Sequence, residues 1–335
     1  MNRYFVGVGI VMTAAIAVSL VGFAQDSAPP PPGEVVASGL DNPRGFAWGP
    51  DGLLYVALAG SGDETGQVVK IEDGEATVVV DGMHSDVAEN GSVEGVAAVD
   101  FLDDQMYFLL QGGGAAHKAP EDQPAGVYTA DEDGNPELVA DIGAWVAENL
   151  TKIHGEEGDA YNMIAGTDGL YVVMANPDAI LEVKPDGSIS LVADLAKDRQ
   201  HEVVTGLAVD RFGSLFVGTL SPYPFSDGTA KVFKITKRGV ISDYWTGLTA
   251  VTSIAIGPTG RLYALEMTTG NTNEKPNNPN SGMVVRRSGS DGMVVSQDGL
   301  NFPIAMRFDP DGALYVAGPA VGGTGEGWIT KLEVQ

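Results

Sequence analysis

A six-fold internal repeat is the feature of this sequence that most constrains its fold. Each copy contains a short apolar strand, a tight turn and a second apolar strand, as in residues 41–58 with the turn Pro50-Asp51-Gly52. Further copies occupy residues 94–110, 161–174, 204–220, 251–267 and 302–318. One aromatic residue marks each copy: Tyr55, Tyr107, Tyr171, Phe216, Tyr263 and Tyr315. Their spacings, 52, 64, 45, 47 and 52 residues, are typical of propeller blades.

The repeats also predict how the fold closes. Each copy continues with a third apolar strand, a turn and a fourth strand, and four such antiparallel strands make one blade. The sixth copy ends after its third strand, residues 327–332, and residues 34–39 have the character of the missing fourth strand. We therefore predict an all-β, six-bladed β-propeller over residues 34–335, closed by an N-terminal strand that completes the last blade. Closure removes exposed sheet edges.

The N-terminal segment predicts export. Arg3 precedes an apolar run from Tyr4 to Phe23, and small residues close the run, so residues 1–24 resemble a Sec-type signal peptide. An uncleaved anchor is the alternative, since the run approaches the ~20 residues that span a bilayer. Residues 25–33, which contain four prolines, predict an extended leader. We expect a secreted or periplasmic protein with no stable membrane span after signal cleavage.

Charge and cysteine content restrict the partners. The chain has 45 Asp and Glu against 19 Lys and Arg, a net charge of −26. Such a surface repels phosphate backbones and anionic lipid, which disfavours nucleic acid and membrane surfaces as partners. With no cysteine, disulfides, a cysteine nucleophile and lipid attachment at cysteine are all excluded. We expect a monomer that binds a small molecule or a protein.

Loop lengths predict which face carries function. In an up-and-down blade, the turns after strands one and three share one face, and in this sequence these turns are short. The connections between strands two and three lie on the opposite face and are long, apart from the short one around residues 176–178. Variable loops on a rigid frame are where function is usually found. The long connections are residues 59–65, 111–125, 221–229, 268–281 and 319–326.

Polar residues near the start of each innermost strand should converge at the mouth of the central channel, on the long-loop face. Such a convergence is the default binding site of a rigid ring. The candidates are Arg44, Glu94, Asn162, Thr205 and Ser253, with His201 at the rim and Pro303 in the sixth blade. An ion pair between Arg44 and Glu94 is the structural alternative to ligand contact.

A divalent metal such as calcium is the cofactor that this set suggests. Glu94 and Asn162 are the candidate ligands, but calcium takes 6–8 oxygens and only one carboxylate is present. The cofactor therefore stays unknown from sequence. A helical spacing over residues 141–154, with apolar Ile142, Val146 and Leu150, predicts a helix that covers an apolar patch between two blades.

Several segments resemble the ScyD/ScyE-like family of secreted bacterial propellers. The resemblance lies in residues 38–45 (SGLDNPRG), 50–56 (PDGLLYV), 220–235 (LSPYPFSDGTAKVFKI) and 247–256 (GLTAVTSIAI). It implies an extracytoplasmic six-bladed propeller and brings no established catalytic residues. The repeat alone fits NHL and gluconolactonase-like propellers equally well. Asp159-Ala160-Tyr161 departs from the Asn-Pro-Tyr that is more usual in the family.

Gluconolactonase-like propellers hold a channel metal with Glu, Asn and Asp. This chain matches that set in part, through Glu94 and Asn162, and has Thr205 or Ser253 where the Asp is expected. Three hypotheses follow. The first is a propeller that binds a small molecule or protein partner at its long-loop face, non-catalytic or accessory to a biosynthetic pathway. The second is a metal-assisted lactonase. The third is a quinone-dependent sugar dehydrogenase that uses Arg44 and His201.

Overall fold

A computed structural model describes residues 30–88, 91–150, 158–197, 200–272, 274–289 and 292–333. The predicted signal peptide, residues 1–24, and most of the leader lie outside these ranges, so both stay predictions. Across the described ranges, no helix is long and apolar enough to cross a membrane.

Six antiparallel sheets follow one another along the chain, and each is one blade. Blade 1 contains β2 (Pro43–Trp48), β3 (Leu54–Leu58), β4 (Asp63–Glu72), β5 (Glu75–Val87) and β6 (Val93–Glu94). Blade 2 contains β7 (Val96–Leu102), β8 (Gln105–Leu110), β9 (Gly126–Ala130) and β10 (Pro136–Asp141). Blade 3 contains β11 (Asp159–Ala165), β12 (Leu170–Asn176), β13 (Ala179–Val183) and β14 (Ile189–Asp194).

The second half of the ring repeats this order. Blade 4 contains β15 (Val204–Val209), β16 (Leu215–Thr219), β17 (Ala230–Ile235) and β18 (Ile241–Leu248). Blade 5 contains β19 (Val251–Ile256), β20 (Leu262–Glu266), β21 (Gly282–Ser288) and β22 (Gly292–Leu300). Blade 6 contains β23 (Ala305–Phe308), β24 (Leu314–Gly318) and β25 (Gly327–Leu332), completed by β1 (Glu34–Leu40).

The ring closes as the sequence predicts. β1 pairs antiparallel with β25, from Glu34 opposite Lys331 to Leu40 opposite Gly327. The Thr330 hydroxyl strengthens this junction, since it donates to the Pro32 carbonyl at 2.7 Å and lies 3.1 Å from the Glu34 carbonyl. The six-bladed propeller with an N-terminal closing strand is therefore confirmed.

Short turns shape one face of the ring. In the β2–β3 turn, the Asp51 carboxylate accepts from the Leu53 backbone N–H at 3.1 Å, and Gly52 has φ 78°. The β13–β14 turn uses Asp186 and Gly187 in the same way, with φ 85° at the glycine. Aspartate folds back on its own backbone and glycine accepts a positive φ, so Asp-Gly sequences place these turns reliably.

The repeated aromatics pack sheet against sheet. Tyr55 meets Phe101 of the next blade edge to face at 5.0 Å, and Tyr263 meets Phe308 in the same way at 5.0 Å. Tyr315 of blade 6 lies 5.0 Å from Trp48 of blade 1, so the same contact spans the closure. Edge-to-face pairs add a specific geometry to apolar burial.

One helix, α1 (Ile142–Asn149), follows β10. The Asp141 carboxylate accepts from the Ala144 N–H at 2.8 Å and caps its first turn. Ile142 and Val146 are fully buried in the core of blades 2 and 3, so the helix covers an apolar patch as expected. It is shorter than predicted over its described part, and residues 151–157 lie outside the described ranges.

Candidate functional site

The innermost strands of the six blades surround a central channel that contains two connected cavities. The smaller, about 30 Å³, lies toward the long-loop face and is lined by Arg44, Gln111, Tyr161 and Ile304 among others. The larger, about 250 Å³, extends toward the short-turn face. Both cavities are lined by Asn162, which therefore lies between them.

Arg44 crosses the long-loop end of the channel from the start of β2. Its Nη1 donates to the Ala320 carbonyl at 3.1 Å and its Nη2 donates to the Val93 carbonyl at 2.5 Å. Its Nε is buried and has no hydrogen-bond partner among the described residues. Burial lowers the pKa of Arg44, while Tyr161, Glu94 and Asp159 act in the opposite direction. The side chain is thus fixed, and its buried Nε–H is left for a ligand.

Asp86 and Glu94 face each other across the β5–β6 hairpin. Two like charges in such a position repel, and an imidazole bridges them. His117 Nδ1 lies 3.1 Å from Asp86 Oδ2 and 3.4 Å from Glu94 Oε2. Burial, and next the nearby Asp159, raise the pKa of Glu94 from 4.5 to about 7, against opposing effects of His117 and Arg44. Glu94 is therefore able to hold or release a proton at neutral pH.

Asp159, the first residue of β11, contributes a second carboxylate to the mouth. Gln111 Nε2 donates to Asp159 Oδ1 at 2.6 Å and fixes its orientation. Burial raises the pKa of Asp159, although Gln111, His117, His201 and Arg44 all favour its charged form. The negative charge of Asp159 also raises the pKa of Glu94, so the two carboxyl groups favour sharing a single negative charge.

Tyr161 places a free hydroxyl group beside this pair. The Tyr161 oxygen is inaccessible to solvent and makes no hydrogen bond within the part of the chain that the structure describes. Burial raises the pKa of the phenol, so it stays protonated and serves as a donor. A buried hydroxyl without a partner is unfavourable in the free protein. A ligand that accepts its hydrogen would remove that penalty.

His201 is held at the rim of the mouth by a buried carboxylate. Its Nδ1 lies 2.8 Å from Asp178 Oδ2, and Asp178 also accepts from the backbone N–H groups of Glu202 and Val204 at 2.8 and 3.2 Å. Asp178 is fully buried. The hydrogen bond to Asp178 raises the pKa of His201, against the opposing effect of burial. The hydrogen bond to Asp178 therefore favours the protonated form of the His201 imidazole at the rim.

The structure brings together only part of the predicted site. Arg44, Glu94 and His201 lie at the long-loop end of the channel, and Asn162 lies just below. The alternative of an ion pair between Arg44 and Glu94 is not realised, because backbone carbonyls hold the guanidinium and no ion pair joins the two. Pro303 contributes its carbonyl, which accepts from Thr252 Oγ1 at 3.1 Å.

Thr205 and Ser253 do not face the mouth. Thr205 is fully buried, and its hydroxyl donates to the Val251 carbonyl at 2.5 Å. Ser253 Oγ lies 3.2 Å from the Met306 N–H and 3.3 Å from the Met306 carbonyl, beside the larger cavity. Both hydroxyls join neighbouring blades. A residue at the start of an inner strand can thus turn into the blade interface instead of the channel.

The expected metal ligands are not arranged as a metal site. The Asn162 amide oxygen accepts from the Met163 N–H at 2.8 Å, and Glu94 Oε2 lies 3.4 Å from the His117 imidazole. Throughout the described ranges, no group of three or more His, Asp or Glu side chains is arranged to hold a metal ion. The donor set therefore does not fit calcium, which needs several converging oxygens.

Sequence reasoning missed several residues of the mouth: Asp86, Gln111, His117, Asp159, Tyr161 and Asp178. Two signals were present. Gln111 and His117 lie in the long β8–β9 connection, and Asp159 with Tyr161 forms the segment that departs from the ScyD/ScyE-like pattern. Asp86 and Asp178 gave no signal, because their partners are distant in sequence.

The opposite end of the channel contains a salt bridge. Arg307 Nη2 donates to both oxygens of Asp100 at 3.1 and 3.0 Å, and Arg307 Nη1 donates to the Phe46 carbonyl at 3.2 Å. Asp100 also accepts from the N–H groups of Phe101 and Ala165, each at 2.8 Å. This carboxylate has a full set of partners, and together with Arg307 it joins blades 1, 2, 3 and 6.

No protein-family model and no curated protein matches this chain by sequence. Solved structures match over most of its length. Regucalcin, a calcium-binding protein from Agrobacterium tumefaciens, has a TM-score of 0.60 and 12% identity, over 92% of this chain and 97% of that chain. A gluconolactonase from Xanthomonas campestris has a TM-score of 0.57 and 15% identity, over 93% and 99%.

A third match is the PQQ-bound form of aldose sugar dehydrogenase from Streptomyces coelicolor. Its TM-score is 0.57 and its identity 18%, over 92% of this chain and 100% of that chain. The three neighbours have different described activities: calcium binding, gluconolactonase and aldose sugar dehydrogenase. At such identities the likeness shows the fold alone, and function has to be argued from the site.

Proposed function

We propose that the long-loop end of the channel binds a small polar molecule that carries carbonyl and hydroxyl groups. One observation carries this proposal: two buried donors without partners, Arg44 Nε and the Tyr161 hydroxyl, lie beside the carboxylates of Glu94 and Asp159. Buried polar groups normally have partners, so unpaired donors at a channel mouth favour a ligand that supplies the acceptor.

The size of the site limits how the ligand sits. The enclosed space beside Arg44 and Tyr161 is about 30 Å³, roughly that of one water molecule. Only one group of the ligand, such as a carbonyl oxygen, fits there. The body of the ligand lies above it, under the long loops, where the Asp159 and Glu94 carboxyl groups and the His201 imidazole offer hydrogen-bonding groups.

This site is the basis for a binding protein that acts outside the cytoplasm, accessory to a biosynthetic pathway, in line with the resemblance to the ScyD/ScyE-like family. The predicted signal peptide supports export. A ligand held by fixed side chains in a closed ring requires no catalytic chemistry, so binding alone accounts for the arrangement.

Acid–base catalysis on the bound molecule is the second candidate, and the pKa of Glu94 near 7 favours it. For a lactone, the Glu94 carboxylate would take a proton from water as the water oxygen bonds to the carbonyl carbon. Arg44 and Tyr161 would donate to the developing oxyanion. The proton held on Glu94 would then pass to the ring oxygen as the carbon–oxygen bond breaks, giving the hydroxy acid.

The cofactor-dependent alternatives fit less well. A metal-assisted lactonase needs a ligand set that Glu94 and Asn162 do not form. A quinone dehydrogenase needs room for a flat ring system beside Arg44, and the space lined by Arg44 and Tyr161 holds about one water. Any quinone would have to lie outside it, and the two Arg44 Nη atoms already donate to carbonyls.

Calorimetric titration of the mature protein with glucono-δ-lactone and with its hydroxy acid tests the binding proposal. Tyr161→Phe removes one hydrogen bond to the ligand, so we expect its Kd to rise about three- to tenfold. Glu94→Gln in a pH-stat assay with the lactone tests the second candidate, where removal of a general base lowers turnover by about 10²- to 10⁴-fold.

Glu266→Gln is the matched control. Burial raises the pKa of Glu266 to about 7 as well, but this residue lies in β20, away from the mouth. It should leave both Kd and turnover unchanged. Wild-type protein that binds neither compound would refute the binding proposal for this ligand class. Binding without acid release would retain the first candidate and reject the second.

A further inference from the structure

A groove between blades 4 and 5 opens on the short-turn face, far from the mouth described above. It has a volume of about 720 Å³. Its walls come from the β15–β16 and β19–β20 turns and from the outer strands β17, β18 and β21. This volume lies within the roughly 300–1,000 Å³ of small-molecule sites.

Four cations line the groove: Arg211, Lys234, Arg261 and Arg287. Arg211, Lys234 and Arg261 make no ion pair with any residue that the structure describes. The lining contains one carboxylate, Asp210, which already accepts from the N–H groups of Phe212 and Ser214, both at 2.9 Å. In a chain with a net charge of −26, such a cationic groove attracts anions.

Aromatic rings orient these cations. Arg287 lies 4.0 Å above the Tyr244 ring and donates to the Tyr244 carbonyl at 3.0 Å. Lys234 lies 5.2 Å from Phe216 and 5.8 Å from Tyr244. Phe212 at the rim is 69% exposed, with Arg211 4.8 Å over its ring. Stacking on these rings holds the Lys234 and Arg211 side chains in place at the groove.

The corresponding groove between blades 6 and 1 shows that the repeat alone does not produce this charge. It has a similar volume, about 620 Å³, and Lys331 lies 5.5 Å from Tyr315, as Lys234 lies near Phe216. Lys234 pairs with Phe216 and Lys331 with Tyr315 at the same register. However, the lining of the blade 6–1 groove contains three acidic residues, Glu34, Glu72 and Asp73. The two grooves have similar volumes, but the charges that line them are mainly of opposite sign.

We propose that the groove between blades 4 and 5 binds an acidic oligosaccharide of two or three uronic acid units. Arginine binds carboxylates through two parallel N–H···O bonds, and Arg211 and Arg261 line this groove without an ion pair to any described residue. The apolar face of a sugar ring would cover the exposed Phe212. A peptide strand is less suited, because Arg287 already occupies the Tyr244 carbonyl on the outer strand β18.

Titration with trigalacturonate, followed by calorimetry, tests this proposal on the mature protein. The double variant Arg211→Gln/Arg261→Gln changes two exposed turn residues, so we expect it to fold normally and to bind about tenfold more weakly. Lys234→Gln should also weaken binding, whereas Lys331→Gln, the equivalent change in the blade 6–1 groove, should not. Affinity should fall as salt rises, because the groove charges are screened.

Three outcomes would overturn the proposal. One is unchanged affinity in the double variant when its melting temperature equals that of the wild type. Another is equal binding of neutral maltotriose, which would remove the role of charge. The third is equal or tighter binding of a hexaglutamate peptide, which would indicate an acidic polypeptide as the occupant. The glucono-δ-lactone titration concerns the other face, so either result can fail alone.

Discussion

Asp100 and Glu94 lie at opposite ends of the same channel in very different surroundings. Asp100 is 3% exposed and receives hydrogen bonds from Arg307 and from two backbone N–H groups. Glu94 has a side chain 29% exposed, and among the described residues its polar contact is His117 at 3.4 Å. Asp100 has more partners although it is more buried.

This difference separates a structural carboxylate from a candidate functional one. A buried charge with a full set of hydrogen bonds is stable as an ion and joins the elements around it. A partly buried charge with few partners gains from a proton or from a ligand. The short-turn end of the channel therefore fastens the ring, and the long-loop end stays open to binding and proton transfer.

Asp100→Asn should lower the free energy of unfolding more than the other variants below, and it tests whether Asp100 stabilises the ring. It removes the charge that balances Arg307, so we expect the free energy of unfolding to fall by about 2–3 kcal/mol. This is less than for a fully buried pair, because Arg307 is about a third exposed. Urea denaturation measures it. Asp100→Asn/Arg307→Met should recover part of the loss. A loss under about 0.5 kcal/mol would remove the distinction between the two ends.

The protonation of Glu94, at the long-loop end of the channel, should make the free energy of unfolding depend on pH. The folded-state pKa of Glu94, about 7, exceeds its ordinary value of 4.5, so the folded protein binds more protons between these values. Stability should therefore fall as pH rises from about 4.5 to 7. Glu94→Gln should reduce this pH-dependent fall in the free energy of unfolding by about 1–2 kcal/mol over that range.

Glu266→Gln should flatten the slope similarly, since the pKa of Glu266 is also raised to about 7 by burial. Asp103→Asn, at an exposed turn residue, is the control and should leave the slope unchanged. Denaturation curves at several pH values give these slopes. A Glu94→Gln slope identical to that of the wild type would mean that Glu94 is an ordinary ionised carboxylate.

Tyr161→Phe should change the free energy of unfolding least among these variants, and should raise it instead of lowering it. Removing a buried hydroxyl without a partner should raise the free energy of unfolding by about 1 kcal/mol in the absence of ligand. The same change should weaken ligand binding, so stability and binding move apart. Tyr128→Phe provides the contrast, because the Tyr128 hydroxyl donates to the Pro124 carbonyl at 2.6 Å and its removal should destabilise. Destabilisation by Tyr161→Phe would show that its hydroxyl has a partner.

The fold could be predicted because its signals are local and repeated. Each blade carries alternating apolar strands, Asp-Gly turns and one aromatic residue, and the strand missing from blade 6 was identifiable at residues 34–39. A smaller part of the mouth followed from the same reasoning, since Arg44 and Glu94 lie near the starts of inner strands. Thr205 shows the limit, since strand position does not determine where a side chain turns.

The sequence by itself determined the six blades, their order, the closing strand and the acidic character of the chain, because these depend on local periodicity and composition. Tertiary structure decided which charges meet. His117 reaches Asp86, Gln111 reaches Asp159, and Arg307 reaches Asp100 from 207 residues away. Protonation and unpaired donors depend on burial and on such distant neighbours, and no local pattern encodes either of them.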